Sequence, residues 1–250
     1  VSKLNPDENP IKQLRSMLGR RVDGIIWCIP ETDHSHDWIN EIQSDPGIPI
    51  VLAFCTEKPH YSSVWVDNYS GGYQATHHLI QHGCQKIAHI TGPISHRESK
   101  DRKAGWETAL KEAGLEASRV VEGGWDIQDG WHSMERLIEE WPDFDAVFVA
   151  ADQPALGAIN FLKRRGKRVP EDIKVIGFDD VYELDYFDPP LTSIHQDYEK
   201  FGANLVEELS RRIQDPSTAP VAQVLPTYLV ARRSCGCDHD SPRNDFKQNS

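Results

Sequence analysis

Apolar residues along this chain follow two patterns in turn, and their alternation sets the expected architecture. Short runs without polar alternation, at residues 23–28, 48–54, 63–66, 86–90, 146–149 and 174–177, read as strands covered on both faces, the condition of a parallel sheet. A briefer run at 120–121 joins them. Between the runs apolar positions recur at helical spacing: Ile11, Leu14 and Leu18 within 10–21; Tyr73, Leu79 and Ile80 within 71–81; Trp106, Ala109, Leu110 and Ala113 within 102–113. Further helices are expected over 37–42, 129–141, from Asp152 to a stop at Gly166, and over 198–213. The rhythm breaks once, where Asp188-Pro189-Pro190 cannot be helical and forces an extended segment over 191–196. A last strand-like run covers 224–230, and from Cys235 onward the chain reads as a polar, disordered tail. Repeated βα units of this kind imply an α/β fold built on doubly wound sheets.

Composition narrows the function. With 38% hydrophobic and 26% charged residues, 250 residues can bury one large core or two ordinary ones. The net charge of −12 excludes a broad nucleic-acid surface on these residues, because phosphate binding needs a concentrated basic face. The five cysteines are odd in number, and Cys28 and Cys55 close apolar strands as small core hydrophobes, so a reducing compartment is expected. No signal-peptide pattern opens the chain and no apolar run is long enough to span a bilayer.

Open α/β sheets bind ligands beyond the carboxyl ends of their strands. Those ends carry Asp67 and Asn68, residues 96–102, Gly124 and Trp125, Ala151 and Asp152, and residues 178–180. An arginine, an indole and several carboxylates therefore converge on one edge, which outlines a site for a polyhydroxylated molecule: the ring covers C–H patches and the charged groups bind hydroxyls. The plainer readings have weight. Asp152 reads as a helix cap before a ligand group, and of Asp179 and Asp180 one is expected to cap while Asp179 is favoured for the cleft. Arg102 stands at an expected helix start, a poor place for a cation, which hints at a local purpose. No dinucleotide, Walker, serine-hydrolase or zincin motif is present, so no enzyme activity and no cofactor are expected. Cys235-Gly236-Cys237-Asp238-His239 has metal-ligand types but lacks a second ligand pair, and His34, His36, His77 and His78 read as solvated, so no metal site is expected.

Taken as a set, residues 21–26, 66–68, 71–73, 78–80, 86–93, 102–106, 150–158, 169–173, 177–180, 189–196 and 225–230 resemble the effector core of the lactose-repressor and galactose-repressor (LacI/GalR) family of bacterial transcription regulators. The resemblance covers about residues 1–234. It implies a periplasmic-binding-protein-like type I fold with two lobes, one of residues 1–66 and 198–225, the other of 67–197 and 226–234, with 235–250 as the tail. It also implies a cleft lined by Arg102, Trp125, Asp179, Gln196 and Tyr198, with Arg102 and Asp179 clamping hydroxyls and Trp125 stacking. Ala151 stands where family members often carry Asn, so one polar contact is expected to be missing. The implied protein is a cytoplasmic homodimer without membrane contact. It senses a sugar or nucleoside-like effector and binds operator DNA through a headpiece that, with the hinge helix and first βα unit, is expected to precede Val1. An exported sugar-binding protein of a transport system is the alternative.

Overall fold

The computed structural model describes residues 10–28, 32, 47–56, 58 and 60–237. The expected helix over 37–42 and the histidines His34 and His36 lie outside them. The chain divides into two compact units, Val1–Val66 with Asp197–Leu225, and Asp67–Gln196 with Pro226–Ser250.

In the first unit four parallel strands stand in the order β1-β2-β3-β9: β1 (Ile25–Cys28), β2 (Ile50–Ala53), β3 (Ser62–Val66) and β9 (Ala222–Leu225). Side chains alternate across a strand, so one run feeds two cores. Ile50 and Leu52 join Ile25, Trp27 and Leu14 of α1 (Pro10–Leu18), while Val51 and Ala53 join Val64, Val66, Phe201 and Leu205 of α6 (Tyr198–Gln214). Because both faces of β2 are packed, its run shows no polar alternation. Cys28, expected in a core, is exposed, whereas Cys55 is buried. Cys28 is the last residue of β1, which is an edge strand among the described residues.

In the second unit the sheet order is β10-β8-β7-β6-β4-β5, parallel except for the antiparallel edge strand β10. The members are β4 (Ile87–Thr91), β5 (Val120–Glu122), β6 (Ala146–Val149), β7 (Lys174–Asp179), β8 (Thr192–His195) and β10 (Tyr228–Val230). The two faces sort the side chains by parity: Val147, Val149 and Val175 enter the core with Met134, Leu137, Ile159 and Phe161, while Ala146, Phe148, Ile176 and Phe178 enter the core with Leu79, Trp106 and Leu110. Thus α4 (Ile127–Glu140) and α5 (Asp152–Arg164) cover one face, and α2 (Asn68–Gln81) and α3 (Arg97–Glu112) cover the other. This is the α/β, doubly wound arrangement that the pattern implied.

Several boundaries differ from expectation, each for a physical reason. Helix α2 starts at Asn68, three residues early, because Asp67 caps it by accepting from the Ser70 N–H. Helix α3 starts at Arg97, five residues early; its first turn is polar and carries no apolar signal, only an Arg97–Asp101 pair one turn apart. The run 224–230 is two strands, β9 and β10, one in each sheet, parted at Pro226-Thr227. Cys235 is no tail residue: it is fully buried in a short 3-10 turn (Arg233–Cys235) and packs in the core beneath α2.

Candidate ligand-binding site

Four of the five expected site residues lie in the second unit, near the carboxyl ends of β4, β6, β7 and β8. Arg102 is the centre of the group. It sits in the second turn of α3, not at the helix start, so its position owes nothing to the helix dipole. What holds it is a set of fixed partners. Its Nε donates to Asn68 Oδ1 at 2.9 Å, its Nη1 donates to the carbonyl of Ala150 just past β6, and its Nη2 faces Asp179 Oδ1 at 3.8 Å. The guanidinium lies over the Phe178 ring at 3.6 Å from the centroid, and 5.8 Å from that of Trp125. Phe178 thus supplies a cation–π floor that leaves the charge in place while stripping its water.

The glycines explain why the arginine and the asparagine meet. A Cβ at Gly72 would stand 2.2 Å from the Arg102 carbonyl oxygen, and one at Gly105 would stand 2.2 Å from that of Tyr69. Only paired glycines let α2 and α3 touch backbone to backbone, which brings Asn68 at the start of α2 to Arg102. Gly92, just past β4, does the same for the indole: a Cβ there would meet the Trp125 ring at 2.2 Å. The His96 and Trp125 ring centroids are 5.8 Å apart.

Asp179 is the last residue of β7 and has φ of +112°, and Asp180 follows at +55°. Both conformations are costly for residues with a Cβ, and Asp is among the side chains that tolerate them best. The reversal throws the two carboxylates apart. Asp179 accepts from Gln196 Nε2 at 2.5 Å and faces Arg102. Asp180 pairs with buried Arg232 at 2.8 Å and with His195 Nδ1 at 2.9 Å. Neither caps a helix, which corrects half of the expectation for this pair; Asp179 is the one that shares the Arg102 cluster. Burial alone would raise the Asp180 carboxyl, but the His195 hydrogen bond and the Arg232 charge outweigh it and hold Asp180 below its ordinary value.

Asp152 corrects another expectation. Helix α5 has Ala151 at its cap position with no side-chain bond, and Asp152 is its first helical residue, fully buried. Its carboxylate accepts from Ser193 Oγ at 2.7 Å and from the Val181 N–H at 3.0 Å, pinning the turn that carries Asp179 and Asp180. Burial first, and the Asp179 charge second, push its pKa well above the carboxylate range. Sequence reasoning missed this network because Ser193 and Val181 lie 41 and 29 residues away.

The arrangement therefore offers a buried, oriented cation, a half-buried carboxylate with an amide beside it, and an indole edge. It has no nucleophile paired with a base. Trp125 and Asp179 keep partial exposure while Arg102 and Gln196 are nearly covered. Tyr198, the fifth expected residue, belongs to the first unit, where it opens α6 with an exposed ring. No helix among the described residues is long and apolar enough to cross a membrane.

Comparison with known proteins places the fold in a family. Residues 76–235 match the periplasmic binding protein-like domain. The HTH-type transcriptional regulator CelR of Thermobifida fusca is 35% identical over 223 residues, which are 87% of this chain and 65% of that protein, so the chain spans about two-thirds of that relative's length. A solved complex of the regulator CelR with cellobiose superposes with a TM-score of 0.80 at 34% identity, covering 90% of this chain and 71% of the other. The lac repressor dimer bound to operator and the anti-inducer ONPF superposes with a TM-score of 0.81 at 28% identity, covering 90% and 67%. On sequence and fold alike, the chain belongs to the periplasmic-binding-protein-like domain family, in the branch formed by the effector cores of LacI-family transcriptional regulators.

Proposed function

We propose that this chain is the sensing part of a transcriptional regulator whose effector is a small polyhydroxylated molecule, a sugar or a nucleoside-like compound. The observation that carries the reading is the Arg102–Asn68–Asp179–Gln196 group with Trp125 beside it. A guanidinium held by three separate elements loses little entropy on binding, so its remaining N–H groups and the Asp179 carboxylate are pre-organised for vicinal hydroxyls. Trp125 supplies the flat apolar face that a sugar ring needs.

Control of DNA follows from linkage: an effector that binds one arrangement of the two units better than another shifts the population between them. In a homodimer that shift changes the spacing of two DNA-binding headpieces, which these acidic residues do not themselves supply. The regulator reading is preferred to an exported transport protein because the relatives named above are regulators, and it places the protein in the cytoplasm without enzymatic turnover. The test is a thermal-shift screen of mono- and disaccharides, cellobiose included, and of nucleosides, followed by calorimetry on the hits. A saturable ligand whose affinity collapses in Arg102→Ala supports the reading; a ligand bound equally by wild type and Arg102→Ala refutes the site.

A further inference from the structure

One group of side chains in the second unit takes no part in this site. His78, in the last turn of α2, and His82, the residue that caps its end, are four residues apart and face the same way, their ring centroids 4.4 Å apart. Against them the end of the described chain brings Cys235 and Cys237. His78 Nε2 is 3.3 Å from Cys235 Sγ and 3.7 Å from Cys237 Sγ; His82 Nε2 is 3.6 Å from Cys237 Sγ; the two sulfurs are 3.2 Å apart. The ligand atoms of His78, Cys235 and Cys237 all lie within 4.8 Å of one another.

We propose that these residues form a Cys2His2 site for a thiophilic divalent cation of the zinc class, a structural staple between residues 235–237 and α2. Three features carry it. First, a tetrahedral zinc with the usual bond lengths separates its ligand atoms by about 3.3–3.8 Å, so His78, Cys235 and Cys237 need only small adjustments around a common centre. Second, Gly236 adopts φ of +85°, a left-handed turn that folds the Cys-x-Cys segment so that both sulfurs reach one side. Third, the Thr192 hydroxyl, which also lies 2.9 Å from the Arg232 carbonyl, stands 3.1 Å from Cys235 Sγ; once the thiol gives up the proton it now donates to that carbonyl, the hydroxyl can turn to the thiolate as outer support. His82 is exposed and turns on its own side chain to close the fourth position. Two thiolates with two imidazoles favour zinc over magnesium or calcium, which take oxygen.

The position gives the staple a purpose. Helix α2 begins at Asn68, the partner of Arg102, and also holds Thr227 through Gln74 Nε2 at 3.1 Å. Tying its other end to residues 235–237 restrains α2 at both ends.

The test uses the whole chain, any affinity tag removed, kept reduced and purified without chelator. Expected are one zinc per chain by elemental analysis and, after chelator treatment, an equimolar cobalt complex showing a thiolate charge-transfer band and the intense visible bands of a tetrahedral ion. Zinc should displace the cobalt with an apparent Kd tighter than about 1 µM and raise the melting temperature. Cys235 is buried, so its replacement risks the fold. Cys237→Ser and His82→Ala alter more exposed positions and should each weaken zinc by roughly a hundredfold or more, with Cys237→Ser also diminishing the charge-transfer band. Absence of zinc together with a cobalt spectrum lacking the thiolate band overturns the proposal, as does wild-type affinity in both variants.

Discussion

Two arginines of the second unit are each buried and each answer to one of two consecutive aspartates, yet they do different work. Arg232 is 1% exposed, pairs with Asp180 at 2.8 Å and with Asp185 at 2.9 Å, and donates to the Leu191 carbonyl. Arg102 is 5% exposed, but its carboxylate, Asp179, stands off at 3.8 Å and is partly open. A closed pair in a dry environment locks the fold; a loose pair beside an indole is the arrangement on which the proposed site rests. The backbone reversal at 179–180 is what assigns neighbouring residues to opposite tasks.

Breaking each pair should separate the roles. Arg232→Ala leaves Asp180 buried with one fewer counter-charge and should cost about 3–5 kcal/mol of stability by denaturant unfolding. Effector affinity of the folded protein should change far less. Asp179→Asn keeps shape and the tolerance for positive φ but removes the charge. It should lower effector affinity roughly ten- to a hundredfold by calorimetry, with only a small shift in melting temperature. If the two variants exchange phenotypes, the division of labour is wrong. Gly92→Ala pushes the indole off its seat and should weaken a sugar by up to about tenfold, with fluorescence reporting a changed Trp125 environment.

The smallest effect concerns protons. Asp152 has a folded pKa above its unfolded value, so the folded state holds the extra proton and stability declines as pH rises from the ordinary carboxylate range through the folded value. Asp180 is the reverse: its contribution is present above the ordinary value and is lost as pH falls through its lowered one. Asp152→Asn should therefore gain about 1 kcal/mol at pH 8 relative to wild type and little at pH 4, measured by unfolding at both. An equal gain at both pH values would show that burial of the proton is not the cause.

The grouping of residues at the candidate site was legible in part. Strand ends pointed to Trp125, Asp179 and Arg102, because a parallel sheet places such residues on one edge whatever the sequence separation. Gln196 and Tyr198 came only from family resemblance. The Asp152–Ser193–Val181 network, the role of Arg232 and the meeting of Cys235 with His78 were out of reach, since each joins residues dozens of positions apart with no local periodicity to announce it. Polar first turns hid the start of α3 for a related reason: amphipathic pattern records burial, and that turn is held by charges.

What the amino-acid order by itself determined was the sequence of strands and helices, because doubly covered strands and one-sided helices write their burial directly into the spacing of apolar residues. What only tertiary structure decided was which polar groups meet. Asp179 and Asp180 are one residue type side by side, and nothing local distinguishes them. The turn that sends one toward Arg102 and the other toward Arg232 is stabilised by hydrogen bonds from β8 and α5, so their separate surroundings exist only once the sheet has assembled.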